Sequence, residues 1–232
     1  MLIHLTFFDI IFFMIKACIF DLDGTLTNSL NSIAYFVNKE ISKYGMAPIP
    51  SEDFKTLTGN GARTLIKRVL ERYGKTDTEL ENKILKEYNA AYDADALYLC
   101  TAYAGTHSLI KALTEKSISV NVLSNKPQPT TEKIVKTLFG ENTFSCIFGA
   151  RETVPLKPDP AGVYEILKII NVQKEECLYI GDTATDIQTG KNAGLVTVGV
   201  LWGFRELNEL QTAGADKIVK YPTDILNLIH VN

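Results

Sequence analysis

Short apolar runs recur along the chain, and several of them stop abruptly at polar clusters. Lys16 to Phe20 ends in Asp21-Leu22-Asp23-Gly24-Thr25, Ile118 to Leu123 ends in Ser124-Asn125-Lys126, and Cys177 to Ile180 ends in Gly181-Asp182-Thr183. Runs of this length bounded by turn formers predict buried strands. Cys146 to Phe148 and Val196 to Val200 supply two more. Helical patterns lie between them, one beginning near Pro129, so strand and helix alternate. That alternation predicts an α/β fold with a parallel sheet covered on both faces. Ligands of such sheets lie beyond the C-terminal ends of the strands, where these polar clusters fall.

The stretch between the first and second runs has a different period. Ala62, Leu65, Ile66, Val69, Leu70 and Tyr73 recur at helical spacing, as do Leu80, Ile84, Leu85, Tyr88, Ala91 and Tyr92. A structureless loop of that length is implausible, whereas a helical insertion over the strand ends satisfies both periodicity and connectivity. The expected organisation is a core of residues 1–28 and 98–232, with a helical cap at 29–97. Hinges are expected near Thr27 to Ser29 and Leu99 to Gly105. Residues 1–13 are apolar but contain Asp9 and lack a basic leading segment, so they read as an N-terminal extension, either an apolar arm or the product of an upstream start, rather than as a signal or an anchor.

Composition narrows the function. A net charge of -3 provides no broad cationic field, so nucleic acid and anionic membrane surfaces are not expected partners. Cys18, Cys100, Cys146 and Cys177 are far apart and have no zinc spacing, which suits buried thiols in a reducing, cytoplasmic setting. His4, His107 and His230 fall in no nucleophile motif, and no P-loop segment is present.

The polar clusters carry the chemistry. Asp21 and Asp23 are two apart at a strand end, so both carboxylates can face one side while Leu22 packs the other way. Gly24 permits a sharp turn, and Thr25 offers a hydroxyl and an N–H as candidate phosphate-binding groups. Taken alone, such a segment equally suits an acidic turn. Asp182 and Asp186 bring a second carboxylate pair to the same edge, although an N-cap and a first-turn acid would look the same. Crowded carboxylates without histidine or cysteine favour a hard cation, Mg²⁺, with Asp21, Asp23, Asp182 and Asp186 as candidate ligands. Ser124 and Asn125 precede a helix and could hold phosphate oxygens, and Lys157 sits on a proline-flanked loop as a fixed positive charge.

Four segments in this order, Asp21-Leu22-Asp23-Gly24-Thr25, Ser124, Lys157 and Gly181-Asp182 with Asp186, resemble the signature motifs of the haloacid dehalogenase-like hydrolases. The resemblance implies a Rossmann-like three-layer core with an inserted helical cap. It also implies a phosphatase in which Asp21 is the nucleophile, Asp23 the general acid and base, and Ser124 and Lys157 the neutralisers of the phosphoryl group, with Mg²⁺ as cofactor. Asp23 is absent from the family's dehalogenases, so its presence points to phosphoryl transfer.

Thr58-Gly59-Asn60-Gly61-Ala62-Arg63 is similar to a cap segment of the phosphoglycolate phosphatase subgroup, as are Phe148-Gly149-Ala150, Leu201-Trp202-Gly203-Phe204 and Gly214-Ala215-Asp216. Thr27-Asn28-Ser29 departs from the subgroup, where a hydrophobic residue and Asp-Ser are common. The implied substrate is a small phosphorylated metabolite such as 2-phosphoglycolate, with Arg63 a candidate for its carboxylate. A β-phosphoglucomutase-like phosphotransferase, a pyrophosphatase and a non-catalytic phosphate- or metal-binding scaffold remain open. The subunit is expected to act as a monomer or homodimer.

Overall fold

In the computed structural model, which describes residues 14–229, the first apolar run becomes the middle of the sheet. The order along the chain is β1 (Ala17–Phe20), β2 (Thr27–Asn28), α1 (Leu30–Ser42), α2 (Phe54–Leu57), α3 (Gly61–Arg72), α4 (Thr78–Ala94), β3 (Thr101–Ala102) and α5 (Thr106–Glu115). Then come β4 (Ser119–Pro127), α6 (Gln128–Phe139), β5 (Cys146–Ala150), α7 (Ala161–Ile170), β6 (Cys177–Gly181) and α8 (Ala184–Ala193). The chain closes with β7 (Val196–Val200), α9 (Leu207–Thr212), β8 (Lys217–Val219) and α10 (Leu226–Ile229).

Six strands pair in the order β5-β4-β1-β6-β7-β8, each neighbouring pair parallel. Strand side chains alternate between two apolar layers, as the pleat requires. Ala17, Ile19 and Tyr179 join Val163, Ile166 and Leu167 of α7 on one face. Cys18, Phe20 and Ile180 join Leu109 and Leu113 of α5 and Ile134 of α6 on the other. All four cysteines are buried and free. Among the described residues no helix is long and apolar enough to cross a membrane.

Register brings the polar clusters together. Phe20 pairs with Val122 on one side and Ile180 on the other, so the segments that follow them emerge at one edge. β4 runs past its expected end at Leu123 because its pairing with β5 shifts between Leu123 and Pro127. Such a bulge re-aims the side chains it carries, here Ser124, Asn125 and Lys126. β8 was not anticipated, being a three-residue edge strand that opens on an exposed lysine.

The segment between β2 and β3 is helical, and its stripes are buried as their spacing demands. Leu65, Ile66, Val69 and Leu70 of α3 pack with Ile84, Tyr88 and Tyr92 of α4 and with Ile33, Phe36, Val37 and Ile41 of α1. Asp77 caps α4, its carboxylate accepting from the Leu80 N–H at 2.9 Å. The chain leaves and re-enters the sheet region through one antiparallel ribbon, Thr27 opposite Ala102 and Asn28 opposite Thr101. The extension at 1–13 lies outside the described residues.

Candidate active site

Asp21 leaves the end of β1 and is 7% exposed. Its Oδ1 lies 2.7 Å from Lys157 Nζ, and the same ammonium reaches Asp186 Oδ1 at 2.6 Å. Asn125 fixes that lysine's main chain with both ends of its amide: Oδ1 accepts from Lys157 N at 2.8 Å and Nδ2 donates to Lys157 O at 3.1 Å. The structure therefore uses the Asn125 amide to position Lys157, which leaves less of it for substrate than expected.

Asp182 and Asp186 follow β6 and flank the start of α8. Asp186 is the N3 residue of a capping box: its Oδ2 accepts from the Thr183 hydroxyl at 2.7 Å and from the Thr183 N–H at 3.1 Å. It is thus both the helix-capping acid and a partner of Lys157. Asp182 Oδ1 accepts from Thr25 Oγ1 at 3.0 Å, and its Oδ2 accepts from the Phe204 N–H at 2.8 Å. A Cβ on Gly24 would lie 2.2 Å from Asp182, and one on Gly203 would lie 2.3 Å from it. Both glycines are there because the backbone closes on that carboxylate. Gly24 and Thr25, expected to bind phosphate, instead line this wall. The Gly24 N–H is bonded to Thr27 O, the Thr25 N–H to Leu22 O and the Thr25 hydroxyl to Asp182.

Asp23 sits on the opposite side of the turn, partly open to the cavity. Its Oδ1 accepts from Ser29 Oγ at 2.6 Å, and its Oδ2 lies 3.0 Å from Lys126 Nζ. Lys126 is itself buried, with its ammonium 4.2 Å from the centre of the Tyr92 ring of α4. Burial alone would push this ammonium down, but Asp23 and the two tyrosines outweigh it and hold the lysine well above its ordinary value.

Between this edge and the helical insertion lies a cavity of about 70 Å³, lined by Asp21, Asp23, Ser124, Lys126 and Lys157 from the sheet side and by Gly59, Gly61, Ala62, Tyr88 and Tyr92 from the other. Gly59 and Gly61 have φ of 106° and 82°, as a tight loop at the cavity mouth requires. The loop is latched down, Asn60 donating to Thr185 Oγ1 at 2.9 Å and Arg205 to Thr58 O at 2.9 Å. Ser124 lines the cavity while its hydroxyl accepts from the Lys126 N–H at 3.2 Å. Arg63 is elsewhere. It projects from the flank of α3 and pairs with Glu81 at 2.8 Å and Asn82 at 2.9 Å, its side chain 61% exposed. Ala62, one residue earlier, lines the cavity instead.

The sequence offered no assignment for Ser29, Lys126 or the Trp202-Gly203-Phe204 wall, although the last two segments were visible as motif neighbours. Trp202 Nε1 donates to Thr25 O at 2.9 Å, tying that wall to the first turn.

The donor set fits a hard divalent cation. Oxygens of Asp21, Asp182 and Asp186 lie within 4.8 Å of one another. At an effective dielectric of about 20, each such pair repels by roughly 3 kcal/mol. Lys157 is the one ammonium among them and Asp23 is matched by Lys126, so about two negative charges remain uncompensated. Burial, then Asp186, pushes Asp21 up to about 7 against the pull of Lys157, and burial, then Asp186 and Asp21, holds Asp182 well above the usual carboxylate range. An all-oxygen site of this charge suits Mg²⁺ better than zinc or copper.

Carboxylates and a lysine gathered at the strand ends stand where a parallel α/β sheet binds its ligands. The family model for haloacid dehalogenase-like hydrolases matches residues 18–200. A phosphoglycolate phosphatase of Rhodospirillum rubrum is 31% identical over 196 residues, covering 82% of this chain and 81% of that protein. One from Mannheimia succiniciproducens is 30% identical over 215 residues, covering 90% and 96%. A Lactobacillus delbrueckii subsp. bulgaricus crystal structure, whose own assignment as a phosphoglycolate phosphatase is an inference, superposes with a TM-score of 0.87 at 27% identity, covering 94% of this chain and 99% of that one. The chain belongs to the haloacid dehalogenase-like hydrolases and is an enzyme of their phosphatase type.

Proposed function

We propose that this protein is a Mg²⁺-dependent phosphomonoesterase that works through a phosphorylated Asp21, with 2-phosphoglycolate or a similarly small ester as substrate. The observation that carries the reading is the pairing of Lys157 with both Asp21 and Asp186 at the cavity floor, next to an Asp23 that faces the same space.

An Asp21 oxygen attacks phosphorus, the bond to the ester oxygen breaks, and Asp23 gives its proton to the departing alkoxide. Water then attacks the acyl phosphate with Asp23 as base, which releases inorganic phosphate and restores the Asp21 carboxylate. Lys157 holds the nucleophile by a 2.7 Å ion pair, and Ser124 lines the path of the phosphoryl group. Mg²⁺, held by Asp21 and Asp182 with Asp186 and Asp23 beside them, would supply the positive charge that offsets the phosphoryl oxygens and the carboxylates together. The helices above exclude bulk water from the first step.

The names of the relatives support a small phosphate ester as substrate.

Phosphate release from 2-phosphoglycolate, pyrophosphate, hexose phosphates and nucleotides, with Mg²⁺ or EDTA, tests both levels. Turnover that is best on 2-phosphoglycolate, lost in EDTA and lost in Asp21→Asn is the expected result. A different best substrate would discard the substrate assignment while keeping the chemistry. Turnover that needs a sugar bisphosphate would replace it with a mutase.

A further inference from the structure

Lys126 has a surplus of donors that the reaction as described does not use. It is buried, it carries three N–H bonds, and it faces one carboxylate oxygen, Asp23 Oδ2 at 3.0 Å, and one aromatic face, Tyr92 at 4.2 Å. It also lines the cavity. The other cation lining that space, Lys157, is already shared between two carboxylates. Arg63, the charge expected to meet an acidic substrate, is held on the surface by Glu81. The cavity therefore offers an incoming anion one partly free ammonium, and it lies on the Asp23 side.

That side has a chemical meaning that rests on the phosphatase reading above. The proton donor must meet the ester oxygen as it leaves, so a group in contact with Asp23 lies beside the leaving group rather than beside the phosphoryl oxygens. A carboxylate attached to the ester carbon itself would arrive within reach of the Lys126 ammonium. Tyr88 and Tyr92 line the cavity together with Lys126. The bulge that ends β4 aims Lys126 inward, so the ammonium is in place before substrate arrives.

We infer that Lys126 is the specificity-determining residue: its ammonium receives the carboxylate of the leaving group and so selects phosphate esters of small 2-hydroxy acids. The competing role is purely local, a counter-ion that keeps Asp23 in place for every ester alike.

Two phosphonates that cannot be hydrolysed separate these roles at equilibrium, 3-phosphonopropionate with a carboxylate and propylphosphonate without one. Calorimetry on the Mg²⁺-loaded protein should find the carboxylated analogue bound about ten- to hundredfold more tightly, the range of one charge-assisted hydrogen bond. Lys126→Met should erase that preference and Lys126→Arg should keep part of it. The ratio of kcat/KM for 2-phosphoglycolate over ethyl phosphate should fall by a similar factor in Lys126→Met. Equal affinity of the unaltered protein for both phosphonates overturns the inference without any variant, so a misfolded Lys126→Met does not shelter it. A Lys126→Met protein that loses both esters equally and keeps its preference among phosphonates overturns it in favour of the counter-ion role. Failure of the phosphatase reading looks different: no ester is hydrolysed, whatever the phosphonates do.

Discussion

The carboxylate cluster should make the metal-free protein less stable as pH rises, and Mg²⁺ should reverse this. Asp21 moves from an ordinary 3.8 to about 7 because it is buried next to Asp186. A group whose folded value is raised binds more protons folded than unfolded, so its contribution to stability is intact at pH 4, erodes between about 4 and 7, and is fully lost above 7. The rise of about 3 units corresponds to roughly 4 kcal/mol at pH 8. Asp182, pushed the same way, adds to it. For a chain of this size roughly 4 kcal/mol moves the unfolding midpoint by about 10 °C. Thermal unfolding in EDTA and in Mg²⁺ at pH 5 and pH 8 reads this directly. The Mg²⁺-induced rise in Tm should be much larger at pH 8, since the cation then meets ionised carboxylates without displacing protons. Asp21→Asn should raise the metal-free Tm at pH 8 and shrink the Mg²⁺ effect. A Mg²⁺ shift equal at both pH values, or an Asp21→Asn protein less stable than the parent in EDTA at pH 8, would refute the reasoning.

Gly203→Ala places a methyl group 2.3 Å from Asp182 and should cost about 1–3 kcal/mol by overpacking, with loss of most Mg²⁺-dependent turnover; chemical denaturation and a Mg²⁺ titration check the two parts. Arg63→Ala should change stability by less than about 1 kcal/mol and leave KM for 2-phosphoglycolate unchanged, because the arginine side chain is exposed and lies outside the cavity lining. A raised KM would return Arg63 to the site.

Much of the sheet was legible because its strands are short apolar runs ended by turn formers. β8 was not, since Lys217-Ile218-Val219 is too short to show a period. β2 and β3, two residues each, become strands only by finding one another across the inserted helices. The stripes of α3 and α4 were readable to the residue, and they also held the answer for Arg63: Ala62 belongs to the stripe and Arg63 does not. Residue types announced the chemistry of Asp21, Asp23, Lys157, Asp182 and Asp186. They could not announce that Ser29 would turn to Asp23 or that the glycine at 203 would close on Asp182, because both depend on a fold that joins distant segments. Lys126 was hidden differently. Its place in the sequence assigned it no role, and the shift in pairing within β4 is what accompanies its position beside Asp23.

The ribbon of β2 and β3 bears on how such enzymes diversify. The two chain crossings are hydrogen-bonded neighbours, so whatever is spliced between Asn28 and Thr101 is anchored at two points about 5 Å apart. A segment with adjacent ends can be lengthened, shortened or exchanged without stretching the sheet, provided the helices that replace it fill the apolar cluster it shares with Phe20 and Leu22. Substrate range can then change by replacing the insert while the carboxylates and Lys157 stay where they are. Lys126 sits on the sheet side of that boundary, so a transplanted insert would inherit it, and the acid selectivity inferred for it would persist through the exchange.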